Sequence, residues 1–475
     1  MTAEPLSAEP LSAERIPAEP PRVGSAPTEP PATEPPATEP PATEPPATEP
    51  PATEPPATEP AHAGPAPADP APPRSPSAER DGAALAEAHV ARRNQLTRAA
   101  QWFAGIEDDP YGLLLRAGPD DPARHEERVR ERGPLYHSAP LDTWVTAHRA
   151  VAEQVLTDPA FDGTGPDGTP VGQEELPCRS DLLALDRATA ARLAPLTAFG
   201  GPLLWAQEAN CVAQRTATYA RRLLESCGER FDLAEDFARR LPGPVLAEQL
   251  SLPDAAHEEF ARVLPDCRHA LDGLVCPQPY ATARATRAAE AAVAGLLARH
   301  LSDAGEEAVR AAGVLAVSAA ETTAVLIVGA VRRLRARPGA WERLAADPAF
   351  AEEAVRETLR TAPPVRLETR VARTDTTLAG TVLPAGGRIV VLLAAAGRDP
   401  AAPAGAAPLG LAPDLHFALS APLITAMATA ALRTLAETLP SLREAGEPVT
   451  RPRSPVLLAP ARFPVAKRES TPCAS

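Results

Sequence analysis

The sequence is poor in lysine, aromatic residues and basic surface, and each shortage excludes a class of protein. Lys467 is the single lysine beside 46 arginines, and beyond residue 80 there are 49 acidic and 43 basic side chains. That balance provides no extended basic footprint for nucleic acid or an anionic membrane. Aromatic residues make up 4%, and alanine, leucine and valine carry the hydrophobic content. This composition argues against a β-sandwich and predicts a mainly helical body.

Three further absences bear on compartment and chemistry. The six cysteines contain no Cys-x-x-Cys pair, so we expect reduced thiols rather than a zinc site or a disulfide framework. The first residues have neither a basic start nor an apolar stretch, so we expect no signal peptide and a cytoplasmic protein. The most apolar window, residues 311–331, is interrupted by Ser318, Glu321 and Thr322, which predicts a buried helix rather than a membrane span.

Proline and acidic charge are concentrated at the N-terminus. The first 76 residues hold 25 of the 59 prolines, and residues 28–60 repeat Pro-Pro-Ala-Thr-Glu. Proline fixes φ and withholds a hydrogen-bond donor, and the repeat has almost no apolar side chains, so we predict a disordered acidic tail over residues 1–80. This tail is a solubilising spacer or a docking arm. A helical segment over residues 81–108 and one large domain over residues 109–475 complete the predicted organisation.

Hydrophobic periodicity and proline or glycine breaks predict the elements of the large domain. Helical patterns dominate, and β-like runs occur mainly after residue 365, with a Pro-Ala-Gly-Gly turn between the last two. The predicted helices include residues 111–132, 148–156, 341–361 and 422–439, and the predicted strands include 370–372, 377–383 and 388–393.

An ordered series of motifs identifies the fold. Glu357 and Arg360 lie three residues apart on one helical face, which alone indicates only a surface salt bridge. The segments that follow are more specific: Pro363-Pro364-Val365, Arg370, Gly380, Pro384-Ala385-Gly386 and Gly397-Arg398-Asp399-Pro400. This series resembles the C-terminal half of a bacterial cytochrome P450. Residues 318–323 resemble the Ala-Gly-x-Glu-Thr-Thr motif of that family's central helix. The resemblance extends from about Asp109 onward and implies a mainly α fold, the P450 helical prism with a small β-region.

The chain departs from the family where haem is held. The resemblance places the axial cysteine, in Phe-Gly-x-Gly-x-His-x-Cys-x-Gly, at Ala426, with Arg433 aligned behind it. Ser420 and Pro422 replace the two loop glycines, and Ile424 replaces the usual basic residue. A P450 needs the cysteine thiolate to break the O–O bond. We therefore expect no haem, no other cofactor and no metal.

Two other features support this expectation. At the places of the histidine and arginine that hold the haem propionates in the family, the sequence has Ala190 and Ala194. Met427 and His416 are potential iron ligands, but we expect a core methionine and a loop or cap histidine. Thus the axial ligand and the propionate ligands are all expected to be lost.

Other family positions remain and are expected to be structural. We predict a buried charge network of Glu357, Arg360 and Arg370, because deleting one member would leave its partners uncompensated. Glu321 and Thr322 deliver protons in a working P450, and here we expect a hydrogen-bonded polar spot inside a buried helix.

A P450-like body without its cysteine, in a sequence whose arginine and alanine bias is typical of a high-GC bacterium, resembles one group within the family. These are the auxiliary proteins of macrolide and anthracycline glycosyltransferases. The resemblance implies a non-catalytic protein that binds and activates or stabilises a nucleotide-deoxysugar-dependent glycosyltransferase in polyketide biosynthesis. Two alternatives remain: an enzyme that uses Glu321, Thr322 and His416 for acid–base chemistry, and a hydrophobic small-molecule binder. Both would use the family's substrate cavity without haem.

Overall fold

The computed structural model describes residues 76–117, 121–172, 176–199, 201, 203, 209–403, 405–412 and 414–467. Residues 1–75 of the predicted disordered tail lie outside the described residues. The helix predicted from residue 81 begins at Pro76.

Helices form most of the described chain. In chain order they are α1 (Pro76–Ile106), α2 (Pro110–Arg116), α3 (Pro122–Glu131), α4 (Arg149–Thr157), α5 (Arg187–Thr197), α6 (Ala209–Ser226), α7 (Pro242–Gln249), α8 (Asp254–Val263), α9 (Tyr280–Leu301), α10 (Glu306–Arg335), α11 (Ala340–Ala346), α12 (Phe350–Thr361), α13 (Leu393–Gly397) and α14 (Phe417–Thr438).

Short strands form small sheets at the edge of this helical body. The largest sheet has the order β1-β2-β8-β5-β3, in which only the β2–β8 pair is parallel. A second sheet, β4-β12-β9, joins the chain end to the middle of the sequence. The strands are β1 (Tyr136–Ser138), β2 (Thr143–Thr146), β3 (Phe161–Asp162), β4 (Arg230–Asp232), β5 (Leu367–Ala372), β6 (Thr376–Leu378), β7 (Thr381–Leu383), β8 (Arg388–Leu392), β9 (Arg443–Glu444), β10 (Val449–Thr450), β11 (Pro460–Arg462) and β12 (Pro464–Ala466).

Two predicted helices are each divided in two by an Asp-Pro pair. The predicted helix over residues 111–132 is α2 and α3, because Asp121 caps the second helix through the Ala123 N–H and Pro122 occupies its first turn. The predicted helix over residues 341–361 is α11 and α12, because Pro348 holds Asp347 in an extended conformation. Aspartate before proline therefore ends one helix or starts another here.

The run 377–383, predicted as a single strand, is a hairpin of β6 and β7. Ala379 and Gly380 form its two-residue turn, and both have positive φ, at 49° and 80°. Such a turn matches the right-handed twist of the paired strands. The hairpin leaves Val382 exposed.

The core is built around α10 and α14. α10 is 30 residues long and is apolar around most of its circumference, so nearly all of its middle is buried. Both helices are long and apolar enough to span a membrane, but 89% and 61% of their most apolar windows are buried inside the fold. The predicted burial of residues 311–331 is therefore confirmed, and these two helices are weak evidence for a membrane span.

Candidate functional site

The central helix α10 contacts the start of α14 directly. Ser318 on α10 donates its hydroxyl to Ser420 Oγ on α14 at 2.8 Å, and both residues are fully buried. A third helix, α5, also contacts α14: the Thr197 hydroxyl donates a hydrogen bond to the Leu419 carbonyl of α14 at 3.0 Å. α5 and α14 also pack against each other. Three helices that would surround a haem in the family therefore touch one another here.

The segment equivalent to the cysteine loop is helical. The final helix was predicted to start at Pro422, but α14 starts at Phe417, five residues earlier. Ser420, Pro422 and Ile424 therefore lie in its first turns. Serine replaces the first loop glycine at Ser420, and the run Leu419-Ser420-Ala421 can therefore extend a helix. Pro422 is exposed and removes only one hydrogen bond, to the Ala418 carbonyl.

At the positions of the axial cysteine, the basic residue and the two propionate ligands, the side chains of Ala426, Ile424, Ala190 and Ala194 hold no atom that could bind iron or a propionate. Ala426 lies within α14 and packs half-buried against the core, while Ile424 and Met427 are fully buried. Ala190 is buried and Ala194 half-buried on α5. A planar ring needs roughly 7 Å between the atoms above and below it, whereas Ser318 and Ser420 are in hydrogen-bond contact. The residues present do not fit a haem group.

Glu321 is held in a buried ionic cluster instead. Arg239 Nε lies 3.1 Å from both carboxylate oxygens of Glu321, and Arg451 Nη2 lies 2.5 Å from Oε1. All three side chains are more than nine-tenths buried. Arg239 also contacts Glu235 and the Pro460 carbonyl. The polar spot predicted at Glu321 exists, but it is a salt-bridge cluster that fixes α10 to the segments before α7 and before β11.

The three residues of the alternative enzyme hypothesis do not form a catalytic set. Glu321 and His416 line different cavities. The buried Thr322 hydroxyl has no partner among the described residues. Burial, aided by the charge of Arg370, lowers the pKa of His416 to about 3, so the ring is neutral. The prediction that His416 is a loop or cap residue fits its place just before α14, although its side chain makes no cap hydrogen bond.

The predicted network of Glu357, Arg360 and Arg370 is two separate clusters. Arg360 pairs with Glu357 through two bonds of 2.8 and 2.9 Å, and Arg333 lies 3.3 Å from the same carboxylate. The hydrogen bonds from Arg360 lower the pKa of Glu357, with burial opposing them. About a third of each side chain in the Glu357–Arg360 pair is exposed. The expectation of one buried network was wrong. Residue spacing along the chain does not show which carboxylates a side chain of β5 will contact.

Arg370 has its own carboxylates. Its Nη2 lies 2.6 Å from Glu368 and 2.9 Å from Asp414, and the Arg370 side chain is 2% exposed. Arg187 at the start of α5 approaches Asp414 at 3.4 Å. This cluster joins α5, β5 and the segment before α14. Its acidic members were missed because Glu368 and Asp414 belong to no motif.

A second buried carboxylate was also missed. Asp272 is fully buried and accepts hydrogen bonds from Ser454 Oγ at 2.7 Å and from the N–H groups of Val456 and Leu457 at 3.0 and 3.2 Å. Burial raises its pKa to about 6, with these hydrogen bonds opposing. The partners are more than 180 residues apart in the sequence, so no local pattern indicates them.

Within the ranges that the structure describes, there is no metal site and no reactive thiol site. No group of three histidine, cysteine, aspartate or glutamate side chains there is placed to hold a metal ion. Cys178, Cys211, Cys227, Cys267 and Cys276 are free thiols, as expected for five of the six. Burial raises the pKa of Cys276 to about 12, so it is not a reactive thiolate.

The fold and the ordered series of motifs define a protein of the cytochrome P450 type. The cytochrome P450 family model matches residues 345–402, which contain Glu357, Arg360 and Arg370. The crystal structure of ligand-free CYP164A2 from Mycobacterium smegmatis matches with a TM-score of 0.63 at 26% identity. That match covers 75% of this chain and 99% of the other. The predicted fold class is thereby confirmed for the described body.

Two curated relatives narrow the assignment. Protein TylM3 of Streptomyces fradiae is 47% identical over 402 residues, which cover 79% of this chain and 93% of the relative. The cytochrome P450 family protein EryCII of Saccharopolyspora erythraea is 36% identical over 396 residues, which cover 80% and 98%. The chain therefore belongs to the cytochrome P450 family, in the group that contains these two proteins. The resemblance inferred from the sequence is confirmed.

Proposed function

We propose that this protein is a non-catalytic, haem-independent member of the P450 family. In this proposal it binds and activates or stabilises a nucleotide-deoxysugar-dependent glycosyltransferase of polyketide biosynthesis. Its similarity to TylM3 and EryCII supports the assignment to an antibiotic pathway. The observation that supports the non-catalytic part is the Ser318–Ser420 hydrogen bond, which joins the motif of the central helix directly to the position of the first loop glycine. The alternative enzyme lacks an assembled set of groups.

Activation without chemistry requires a surface that the partner recognises. Helix α1 presents one. Of the seven large apolar side chains that are exposed in the described residues, five lie on this helix. We call them the α1 stripe. Its members are Leu85, Leu96, Trp102, Phe103 and Ile106.

Four members of the stripe lie on one side of α1, whereas Trp102 lies about 100° round the helix, with the Arg116 guanidinium 4.2 Å from its ring. Leu85, Leu96 and Phe103 project in nearly the same direction at 3.6 residues per turn, and Ile106 lies beside them. The body side of the same helix is occupied: Asn94 and Ala104 are buried, and Gln101 donates to the Val275 carbonyl at 3.0 Å. One face of α1 therefore packs on the body of the protein, and the other faces outward.

The area of the stripe suits a stable interface. Its members are 52 to 72% exposed, which corresponds to roughly 500 Å² of apolar surface, at the upper end of what monomeric proteins expose. A standard protein–protein interface buries about 800 Å² per partner around an apolar centre. We assign the stripe to the glycosyltransferase, whose apolar counterpart would form that centre.

The test measures glycosyl transfer by the cognate enzyme with the full-length protein, without it, and with a Leu96→Glu/Phe103→Glu variant. Val382→Glu is the matched control, because Val382 is equally exposed, at 69%, but belongs to the β6–β7 hairpin and not to α1. We expect wild type and Val382→Glu to raise transfer or soluble yield and the stripe variant to fail. At a hundredfold excess over Kd, binding stabilises the enzyme by about 2.7 kcal/mol.

The outcomes separate the two parts of the proposal. Equal transfer with and without the protein contradicts an activating role. Full activation by a stripe variant with an unchanged Tm keeps the role but excludes α1 as the contact. Loss of activation with Val382→Glu as well would show that any added surface charge interferes, and the stripe would have no special part.

A further inference from the structure

The outward side of helix α1 shows a regular spacing of exposed residues. Seven positions follow one another at alternating intervals of four and three residues, and every one of them is exposed. We call them the α1 seam. Its members are Leu85, His89, Arg92, Leu96, Ala99, Phe103 and Ile106. This alternation is the heptad spacing, which keeps the same side of one helix turned toward a second helix packed along it.

The opposite side of α1 is held by the body of the protein. Asn94 is buried, and Gln101 donates a hydrogen bond to the Val275 carbonyl. Measured round the helix from Leu85, these two residues of α1 lie at about 180° and 160°. A second helix can therefore pack along the seam while α1 stays attached to the body.

Arg92 places a permanent positive charge in the seam, and its neighbours on α1 carry no counter-charge. On a helix, a side chain meets those that lie three and four residues away. Around Arg92 these are Ala88, His89, Gln95 and Leu96, none of which is a carboxylate. Glu87 of the same helix pairs with Arg284 at 2.7 Å. A helix that covers Arg92 must therefore bring a carboxylate, because a covered cation without a counter-charge is costly.

A second copy of this protein does not supply that carboxylate from its own seam. None of the seven seam positions is acidic. In a parallel pair of seams, Arg92 would face the same arginine of the second copy. In an antiparallel pair it would face another seam residue without negative charge. A single charged residue within an apolar seam sets the choice of partner in paired helices, and here it favours an acidic helix over self-pairing.

We propose that the α1 seam packs against an amphipathic helix of the glycosyltransferase, which carries apolar side chains at heptad spacing and a carboxylate opposite Arg92. This inference rests on the function proposed above, and it names the structural element and the charge that the partner presents. Ala99 is the small residue of the seam, between Leu96 and Phe103. The two helices can therefore come close there, and a larger apolar side chain of the partner fits over Ala99.

The charge is tested by isothermal titration of the cognate glycosyltransferase with full-length protein. Arg92→Glu should weaken binding at least about tenfold, because it sets two carboxylates against each other in the interface. Arg310→Glu is the matched control, since Arg310 is also an exposed helical arginine but lies near the start of α10. It should leave the affinity unchanged. Both arginines are exposed, so the Tm of each variant should equal that of wild type.

The spacing is tested on two alanines of the same helix. Ala99 belongs to the seam, whereas Ala86 is equally an exposed alanine of α1 but lies about 100° round the helix from Leu85. Ala99→Glu should weaken binding at least about tenfold, because it places a carboxylate in the middle of the apolar contact. Ala86→Glu should bind as wild type does, because charged residues are tolerated beside such a seam.

A charge reversal on the enzyme completes the test. Hydrogen exchange of the complex should identify a protected helical segment of the glycosyltransferase, and changing its acidic residue to arginine should restore binding to Arg92→Glu. The inference is overturned, and the proposed function kept, if the enzyme binds Arg92→Glu and Ala99→Glu as tightly as wild type or if no such reversal restores binding. It is also overturned if the protein alone sediments as a dimer that Ala99→Glu dissociates, because a second copy then covers the seam. Absence of any binding by wild type contradicts the proposed function itself.

Discussion

Replacing Glu321 by glutamine should destabilise the protein strongly. The glutamate accepts charge-assisted hydrogen bonds from Arg239 and Arg451, and all three side chains are more than nine-tenths buried. Glutamine has nearly the same shape but no charge, so two guanidinium groups would keep their charge and lose their shared counter-ion. Breaking a buried ion pair from one side costs about 3 to 5 kcal/mol. Arg239 retains Glu235, which is half-exposed and offsets little of this loss.

Glu357→Gln provides the matched comparison. Glu357 also pairs with two arginines, but its side chain is 31% exposed and those of Arg360 and Arg333 are 32% and 25% exposed. A partly solvated pair contributes about 1 kcal/mol or less. For a domain of this size we expect Tm to fall by about 4 to 6 °C for Glu321→Gln and by about 1 °C for Glu357→Gln.

The assay is thermal and guanidinium unfolding followed by circular dichroism at 222 nm. An unchanged denaturant slope would show that the variants unfold from the same native state. Combining Glu321→Gln with Arg451→Gln should cost less than the sum of the two single changes, because the second removes a cation that the first left unpaired. The reasoning is refuted if Glu321→Gln is no more destabilising than Glu357→Gln.

Three other outcomes are expected. The purified protein should show no Soret band, and Ala426→Cys alone should not produce one because the Ser318–Ser420 contact persists; stoichiometric haem in that variant would contradict the closed geometry. Deleting residues 1–75 should leave Tm unchanged, because the proline repeat has almost no apolar surface to bury; loss of a cooperative melt would refute this. The pKa of Asp272 is raised from 3.8 to about 6 in the fold, so its contribution to stability is present below pH 4 and is lost as pH rises to 6. The stability difference between Asp272→Asn and wild type should therefore change by about 3 kcal/mol across this range, and a constant difference would show that Asp272 does not titrate there.

The sequence predicted the fold where local signals were strong. Helical periodicity located α4 within one residue and α10 within five, and the motifs after Glu357 placed β5 and β8. Errors occurred at element boundaries. The predicted helices over 111–132 and 341–361 run through Asp-Pro pairs at residues 121 and 347, which separate helices in the structure. The start of α14 was missed because a loop was expected there. Serine in place of the loop glycine at position 420 indicated that the backbone could not approach a porphyrin. It did not predict that this segment is helical, because the helix depends on packing against α10, which no local pattern shows.

Residues at known family positions in the candidate site could be predicted from the sequence. Their ion-pair partners were missed wherever those partners are distant in the sequence. Ala426 and Ser420 could be placed by counting from Arg433. The partners of Glu321 are 82 and 130 residues away, and those of Arg370 lie partly outside any motif. Buried ion pairs form between segments that the topology brings together, so residue types alone show that a charge needs a partner but not which partner it has.

The Ser318–Ser420 hydrogen bond has a consequence for how the protein is supplied in a cell. A protein that folds around a prosthetic group gains stability from the free concentration of that group. In the haem-independent state proposed above, α10 meets α14 through its own side chains, so no part of the stability of the native state comes from a prosthetic group. The amount of folded protein should then not fall when iron becomes scarce. An iron-limited culture would lose active haem monooxygenases of the same fold while it retained this protein in full.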